Sequence, residues 1–167
     1  VIGAVGPPGG GRNLLPPRFQ SKFHSVNFTF PDENSVKRIF STLVNMKLSS
    51  FNDEVKPLGD LMTMATIDIY NTISTELLPT PLKSHYVFNM RDLSRVFQGV
   101  LRADQQFIDS KDAMIRLWMH ECFRVFSDRL VDDDDREWFR KLAEQKLNDV
   151  FQATWKGIFD GKDALCM

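Results

Sequence analysis

The hydrophobic period of this chain changes at Pro31, and that change constrains the fold more than any other feature. Before it, the apolar run at residues 1–5 and the alternating run at 26–30 read as two short strands. After it, apolar residues recur about every 3.6 positions, the spacing that gathers side chains on one face of a helix. Two strands joined by a long loop rich in Pro and Gly do not make an independently stable sheet. Their partners are therefore expected upstream of Val1, and a start without Met, inside what reads as a strand, is taken as a sign of excision.

Five helices are expected after the change. The first follows Pro31-Asp32-Glu33, runs to about Ser50, and carries Val36, Ile39, Phe40, Leu43, Val44 and Leu48 on its apolar face. The second starts near Asp53 with Pro57 in its first turn. It buries Val55, Leu58, Leu61, Met62, Ala65, Ile69, Ile73 and Leu77 before Pro79 and Pro81 stop it. Gly59 and the threonines Thr63, Thr66, Thr72 and Thr75 lower its intrinsic propensity, so tertiary packing must stabilise it. Asn89 caps the third helix with Asp92 three residues on, and Leu93, Val96, Phe97, Val100 and Leu101 form its buried stripe. Ser110 caps the fourth, whose face is Ile115, Trp118, Cys122, Val125, Phe126 and Leu130. The acidic run Asp132 to Asp135 opens the fifth, where negative charge complements the helix dipole, and Trp138, Phe139, Leu142, Leu147, Val150 and Phe151 follow.

Composition narrows the function. With 43% apolar residues the chain can bury a real core. Lys and Arg total 21 against 22 Asp and Glu, a balance that provides no electrostatic footprint for nucleic acid or anionic membrane, so neither is an expected partner. No apolar stretch approaches the length of a membrane span. Cys122 inside a helical pattern and Cys166 beside the end argue against a disulfide framework and for a reducing compartment. Asn27-Phe28-Thr29 matches a glycosylation triplet but is expected in a buried strand.

Most tempting sites have a plainer competitor. Gly3, Gly6 and Gly9 lack dinucleotide-fingerprint spacing, and Pro7 and Pro8 remove amide donors a pyrophosphate needs. Asp132 to Asp135 resembles the start of a calcium loop until Arg136 takes the fifth position and no glycine follows. His24, His85 and His120 have no partner at zinc-helix spacing, so no metal site is expected. No G-x-x-x-x-G-K-[ST] loop occurs, and no nucleophile, base and oxyanion donors converge, so no catalytic residue is named. Arg91 stands apart. A cation in the first turn of a helix opposes the macrodipole, and a planar permanent charge suits phosphate oxygens. The competing reading is a surface salt bridge to Asp92 or Glu76.

Five stretches together carry a resemblance: Ala4-Val5-Gly6-Pro7-Pro8-Gly9-Gly10-Gly11-Arg12-Asn13, Pro17-Arg18-Phe19, Asn27-Phe28-Thr29-Phe30-Pro31, His85-Tyr86-Val87-Phe88-Asn89-Met90-Arg91-Asp92-Leu93-Ser94-Arg95, and Arg116 through Leu130. They resemble the dynein heavy chains, and more narrowly the third AAA+ module of the axonemal class. The resemblance implies a mainly α fold: the C-terminal remnant of an AAA+ P-loop α/β subdomain with about two strands (residues 1–51), a helical lid bundle (52–160), and a tail or linker (161–167). It also implies that Arg91 is the sensor-two arginine of the lid and that Gly6 stands at the sensor-one position. There this chain departs from the asparagine of active modules. His24 falls where an arginine finger for the neighbouring module is expected, and Arg18 is the nearest basic alternative, in competition with merely pinning its loop.

The function so implied is coupling of ATP binding and hydrolysis to ring movement, with ATP or ADP and Mg2+ in the complete module and no cofactor for the fragment alone. Expected partners are the rest of the ring, the microtubule through the parent motor, and other dynein subunits. The expected location is the cytoplasm and cytoskeleton, in a cilium or flagellum axoneme. The other class is a stand-alone helical interaction module, which requires an exposed apolar groove.

Overall fold

The computed structural model describes residues 1–6, 13–108 and 110–159. The Pro- and Gly-rich loop from Pro7 to Arg12, Cys166 and the proposed tail lie outside them. Val1–Pro31 and Asp32–Met167 form two compact units.

Among the described residues of the first unit the only regular element is α1 (Pro17–Gln20), a single turn started by proline, with the Gln20 side chain donating to the Leu15 carbonyl at 3.0 Å. Phe19 and Phe23 pack with ring centroids 5.1 Å apart. Neither expected strand forms. Residues 1–5 and 26–30 have no regular structure and join no ladder among the described residues. A strand exists only when another edge accepts its N–H and C=O groups, so apolar patterning alone does not produce one. Phe28 is 90% exposed, and Asn27 is exposed with it, where burial was expected.

The second unit is helical: α2 (Glu33–Leu48), α3 (Leu58–Glu76), α4 (Met90–Leu101), α5 (Lys111–Cys122) continuing into a π-helical turn (Phe123–Ser127), α6 (Asp133–Phe151) and α7 (Trp155–Phe159). The expected mainly α bundle is thus observed. α3 is its axle, packing against α2, α4, α5 and α6. That central place explains why Thr63 and Thr66 are fully buried there. Each donates its hydroxyl to the carbonyl four residues back, at 2.8 and 2.6 Å, so no polar atom is stranded. Thr66 also accepts from the Trp118 indole N–H at 2.8 Å, tying α5 to α3 through the core.

Several local expectations shift. α3 begins at Leu58 rather than Asp53, because Pro57 has no N–H and disfavours helical backbone before it; residues 53–57 form turns instead. Ile39 and Leu43 are about half exposed, since α2 packs chiefly against α3 and α4. The fourth helix is not uniform to Leu130. Its last turn widens, with the Asp128 N–H donating to the Phe123 carbonyl at 3.1 Å. The wide turn lets Phe123 and Phe126 both meet Phe139 of α6, with centroids 5.1 and 6.2 Å away. α6 ends at Gln152 in left-handed backbone (φ 53°), and α7, which no sequence pattern announced, buries Ile158 and Phe159. The Arg116 guanidinium fixes α7 by donating to the Ile158 carbonyl at 3.2 Å. At Gly99 the α4 backbone approaches the Glu121 carboxylate so closely that an added Cβ would lie 2.1 Å from it.

Candidate functional site: the capped start of α4

Arg91 is the second residue of α4, and its placement is built locally. Asn89 is extended and its side-chain oxygen accepts the Arg91 N–H at 2.9 Å, while Asp92 returns the favour by accepting the Asn89 N–H at 3.0 Å. This reciprocal capping box satisfies amides that the helix cannot satisfy itself. Behind it Leu93, Val96, Phe97 and Val100 anchor α4 in the core. The Arg91 side chain is exposed, and among the described residues its guanidinium has no hydrogen bond or ion pair. The two expected competitors are not engaged with it. Asp92 is buried and pairs with Arg129 at 3.2 Å, and Glu76 makes no ion pair among the described residues.

The segment that leads into α4 is fastened from the far side of the sequence. Arg129, just after the π turn, donates to the carbonyls of His85 and Val87 at 3.2 and 3.4 Å and lies 4.9 Å from the Phe88 ring centroid. In return a His85 ring nitrogen meets the Arg129 carbonyl at 3.1 Å. Next to this, the buried Tyr86 hydroxyl donates to Asp135 at 2.8 Å and accepts the Val131 N–H at 3.0 Å. Lys83 completes the cluster, 2.5 Å from Asp132 and 2.6 Å from Asp135. Hydrogen bonds to Asp132 and Asp135 raise the Lys83 pKa above its ordinary value. Desolvation pulls the Asp135 carboxyl up, but the Lys83 and Tyr86 hydrogen bonds outweigh it and hold the pKa below the usual carboxylate range. Desolvation raises the Tyr86 phenol. Burial raises the Cys122 thiol well above its usual value, which leaves it a protonated, unreactive core group.

The other sequence-derived candidates sit in the first unit. Gly6 is exposed in a segment without regular structure and offers no polar side chain. Arg18, on α1, and His24 are exposed, and among the described residues neither side chain has a hydrogen bond or ion pair. A cleft of about 340 Å³ between α2, α3 and α6 is lined by Glu33, Lys37, Leu61, Met64 and Asp68 among others, and Arg91 is not part of it. Among the described residues no group of three or more His, Cys, Asp or Glu is arranged to hold a metal, and no helix is long and apolar enough to cross a membrane. Arg129 and Lys83 were not singled out from sequence, and Asp135 was read only as part of an acidic helix start. The only signal was that His85, Tyr86 and Arg129 fall inside the two longest resemblance stretches.

The profile of one protein family, described as the AAA+ lid domain, matches residues 61–159. That span begins in α3 and closes at the end of α7, so it takes in the capped start of α4 and the Arg129 cluster. Among curated proteins, Dynein axonemal heavy chain 2 of Mus musculus is 52% identical over 162 residues, covering 97% of this chain and 4% of the relative. The Homo sapiens protein of the same name is 51% identical over the same length and coverage. The Dynein-1-beta heavy chain, flagellar inner arm I1 complex, of Chlamydomonas reinhardtii is 47% identical over 160 residues, 96% of this chain and 4% of the relative. This chain therefore spans about a twenty-fifth of the length of those relatives. A helical bundle arranged around α3, a profile match over most of that bundle, and near-complete alignment to such relatives lead to one assignment: the chain belongs to the AAA+ lid domain family, as a lid segment of the dynein heavy chain type.

Proposed function

We propose that this segment is the lid and sensor part of a dynein AAA+ module, the third of the ring, and that it couples ATP binding and hydrolysis to ring movement along microtubules. In this reading residues 1–51 are the end of the large α/β subdomain, 52–160 the lid, and 161–167 a tail or linker. α2 is then the large-subdomain helix on which the lid rests, a role that its packing against α3 and α4 supports. The observation that carries the proposal is Arg91: a permanent cation, exposed, without a partner among the described residues, on a helix whose start is rigidly capped. Its planar fork of donors fits a terminal phosphate oxygen, and no carboxylate among the described residues competes for it.

ATP, with Mg2+, supplies the γ-phosphate in the complete module. Arg91 binds that group and holds the lid closed; after hydrolysis it has lost a charge-assisted contact, and the open state gains population. Gly6 occupies the sensor-one position without the polar side chain that would orient water. Arg18, or failing it His24, is the residue directed to the neighbouring module. The ring, the microtubule through the parent motor and other dynein subunits are the partners, and the ciliary or flagellar axoneme is the location, a reading supported by relatives whose names are axonemal or flagellar.

The test is Arg91→Ala in the complete motor. A charged hydrogen bond of about 1.5–3 kcal/mol is removed, so the ATP concentration needed for microtubule release and movement rises by about tenfold or more. Unchanged velocity and unchanged release at every ATP concentration would sink the sensor role.

A second reading is a helical protein-interaction module without nucleotide chemistry. It is favoured by Ile39, Leu43 and Met46, which expose 51%, 46% and 76% of their surface at helical spacing on α2. It predicts that changing these residues to Ser abolishes partner capture, while Arg91→Ala has no effect on motility.

A further inference from the structure

The run 85–92 that leads into α4 contains no regular structure before Met90, yet it carries the residue on which the proposed function depends. One side chain reaches along most of it. Arg129 donates to the His85 and Val87 carbonyls at 3.2 and 3.4 Å, faces the Phe88 ring at 4.9 Å and pairs with Asp92 at 3.2 Å. Asp92 in turn holds the Asn89 N–H, so one guanidinium governs both the approach and the cap of α4. Only an arginine suits the task. Two carbonyls, a carboxylate and an aromatic face in different directions call for a planar fork, which a lysine ammonium does not provide. The buried Asp92 also requires a charge partner, because an uncompensated buried carboxylate is costly.

We propose that Arg129 is a positioning residue for Arg91: it touches no nucleotide, but fixes where the Arg91 guanidinium emerges. The proposal rests on the reading of Arg91 as the phosphate contact. It predicts a local effect. The later part of α4 is held independently by Val96, Phe97 and Val100 in the core, so loss of Arg129 loosens 85–92 and leaves that part in place.

The experiment uses the complete heavy chain, with the phosphate-loop lysines of its other modules replaced, as Arg129→Ala, Arg129→Lys, Arg91→Ala and the Arg91→Ala/Arg129→Ala double variant. The first readout is amide hydrogen exchange without nucleotide. Arg129→Ala is expected to speed exchange of the Val87, Asn89 and Asp92 amides by about tenfold with the Val96–Val100 amides unchanged, and Arg129→Lys to speed it less. The second is the preference for a fluorescent ATP analogue over the matching ADP analogue, both with Mg2+. Arg91→Ala and Arg129→Ala should each lower it by about tenfold, and the double variant no further, because the two act through one contact.

Unchanged exchange at 87–92, or faster exchange spreading through all of α4, overturns the proposal, the latter because Arg129 is then a general brace. A lowered preference with Arg91→Ala but not with Arg129→Ala also overturns it and leaves the Arg91 reading standing. Additive losses in the double variant overturn it too. An unchanged preference with Arg91→Ala overturns both.

Discussion

Residues 1–31 and 32–159 are both rich in apolar side chains, and they use them in opposite ways. In the helical unit each of α2 to α7 contributes buried residues, including Trp118, Phe126 and Phe139 with no exposed surface. In the first unit every described residue is exposed except Leu15, which is half buried. The difference lies in where the backbone hydrogen bonds go. A helix satisfies its own amides and needs only neighbours for one face, which a few turns of nearby sequence supply. A strand needs another strand, and the alternating residues 26–30 have none among the described residues. Apolar content therefore marks surface that wants covering, but period decides whether the chain can cover it by itself.

The strongest way to break that contrast is a matched pair of truncations. Trp118→Ala removes a fully buried ring, its contact with Phe151 at 5.0 Å and its hydrogen bond to Thr66, and should cost about 3–5 kcal/mol of stability. Phe28→Ala, at an exposed ring, should change stability by no more than about 0.5 kcal/mol. Urea denaturation followed by helical circular dichroism compares them. Equal effects would mean that the first unit has a core of its own.

Gly99→Ala probes the closest approach inside the helical unit. The new methyl group would meet the Glu121 carboxylate, which is 11% exposed and held by Arg124 at 2.5 Å, so it can move only by breaking that pair. A loss of about 1–3 kcal/mol is expected in the same denaturation measurement, and Glu121→Ala/Gly99→Ala should recover part of it by removing the obstacle.

Local chemistry was readable in the sequence and distant chemistry was not. The α4 cap was legible because Asn89 and Asp92 lie three residues apart, within the reach of a single turn. The faces of α4 and α5 were legible for the same reason. The Arg129 clamp was invisible because its partners are 42 and 44 residues away, and Tyr86 is 49 residues from Asp135. The π turn escaped because Trp118, Cys122, Phe126 and Leu130 keep a spacing of four that reads the same through a regular or a widened helix. α2 was overread: its pattern marks Ile39 and Leu43 as core, but the width of a buried stripe depends on how many neighbours the helix has, which no single helix records. α7 is too short for a period to show.

The legible cap gives a smaller prediction. Asn89→Ala removes the acceptor for the Arg91 N–H and should cost about 1 kcal/mol, with exchange of the first α4 amides rising and those of α6 unchanged. An effect as large as that of Trp118→Ala would show that the cap, and not the stripe behind it, holds α4 in place.

The smallest expected effect concerns the Lys83–Asp135 cluster, and its sign follows from the shifts. Asp135 has a folded pKa below its unfolded value, so the folded state binds fewer protons as the pH falls through that range. Its contribution is complete above about pH 4, the ordinary Asp value, and is lost as pH drops through the lowered folded pKa. Lys83 has a raised folded pKa, so its contribution is complete below about pH 10.4 and is lost only as pH rises beyond that. Between these limits the pair is insensitive to pH. Solvent reaches the Lys83 and Asp135 side chains, 26% and 18% exposed, so screening keeps the gain small. Asp135→Asn should therefore lower Tm by about 2 °C at neutral pH, and the gap should close as the pH falls below about 4, where the wild-type carboxylate takes up its proton. A gap that stays constant down to pH 2.5 would show that Asp135 acts through the shape of its hydrogen bond to Tyr86, and not through its charge.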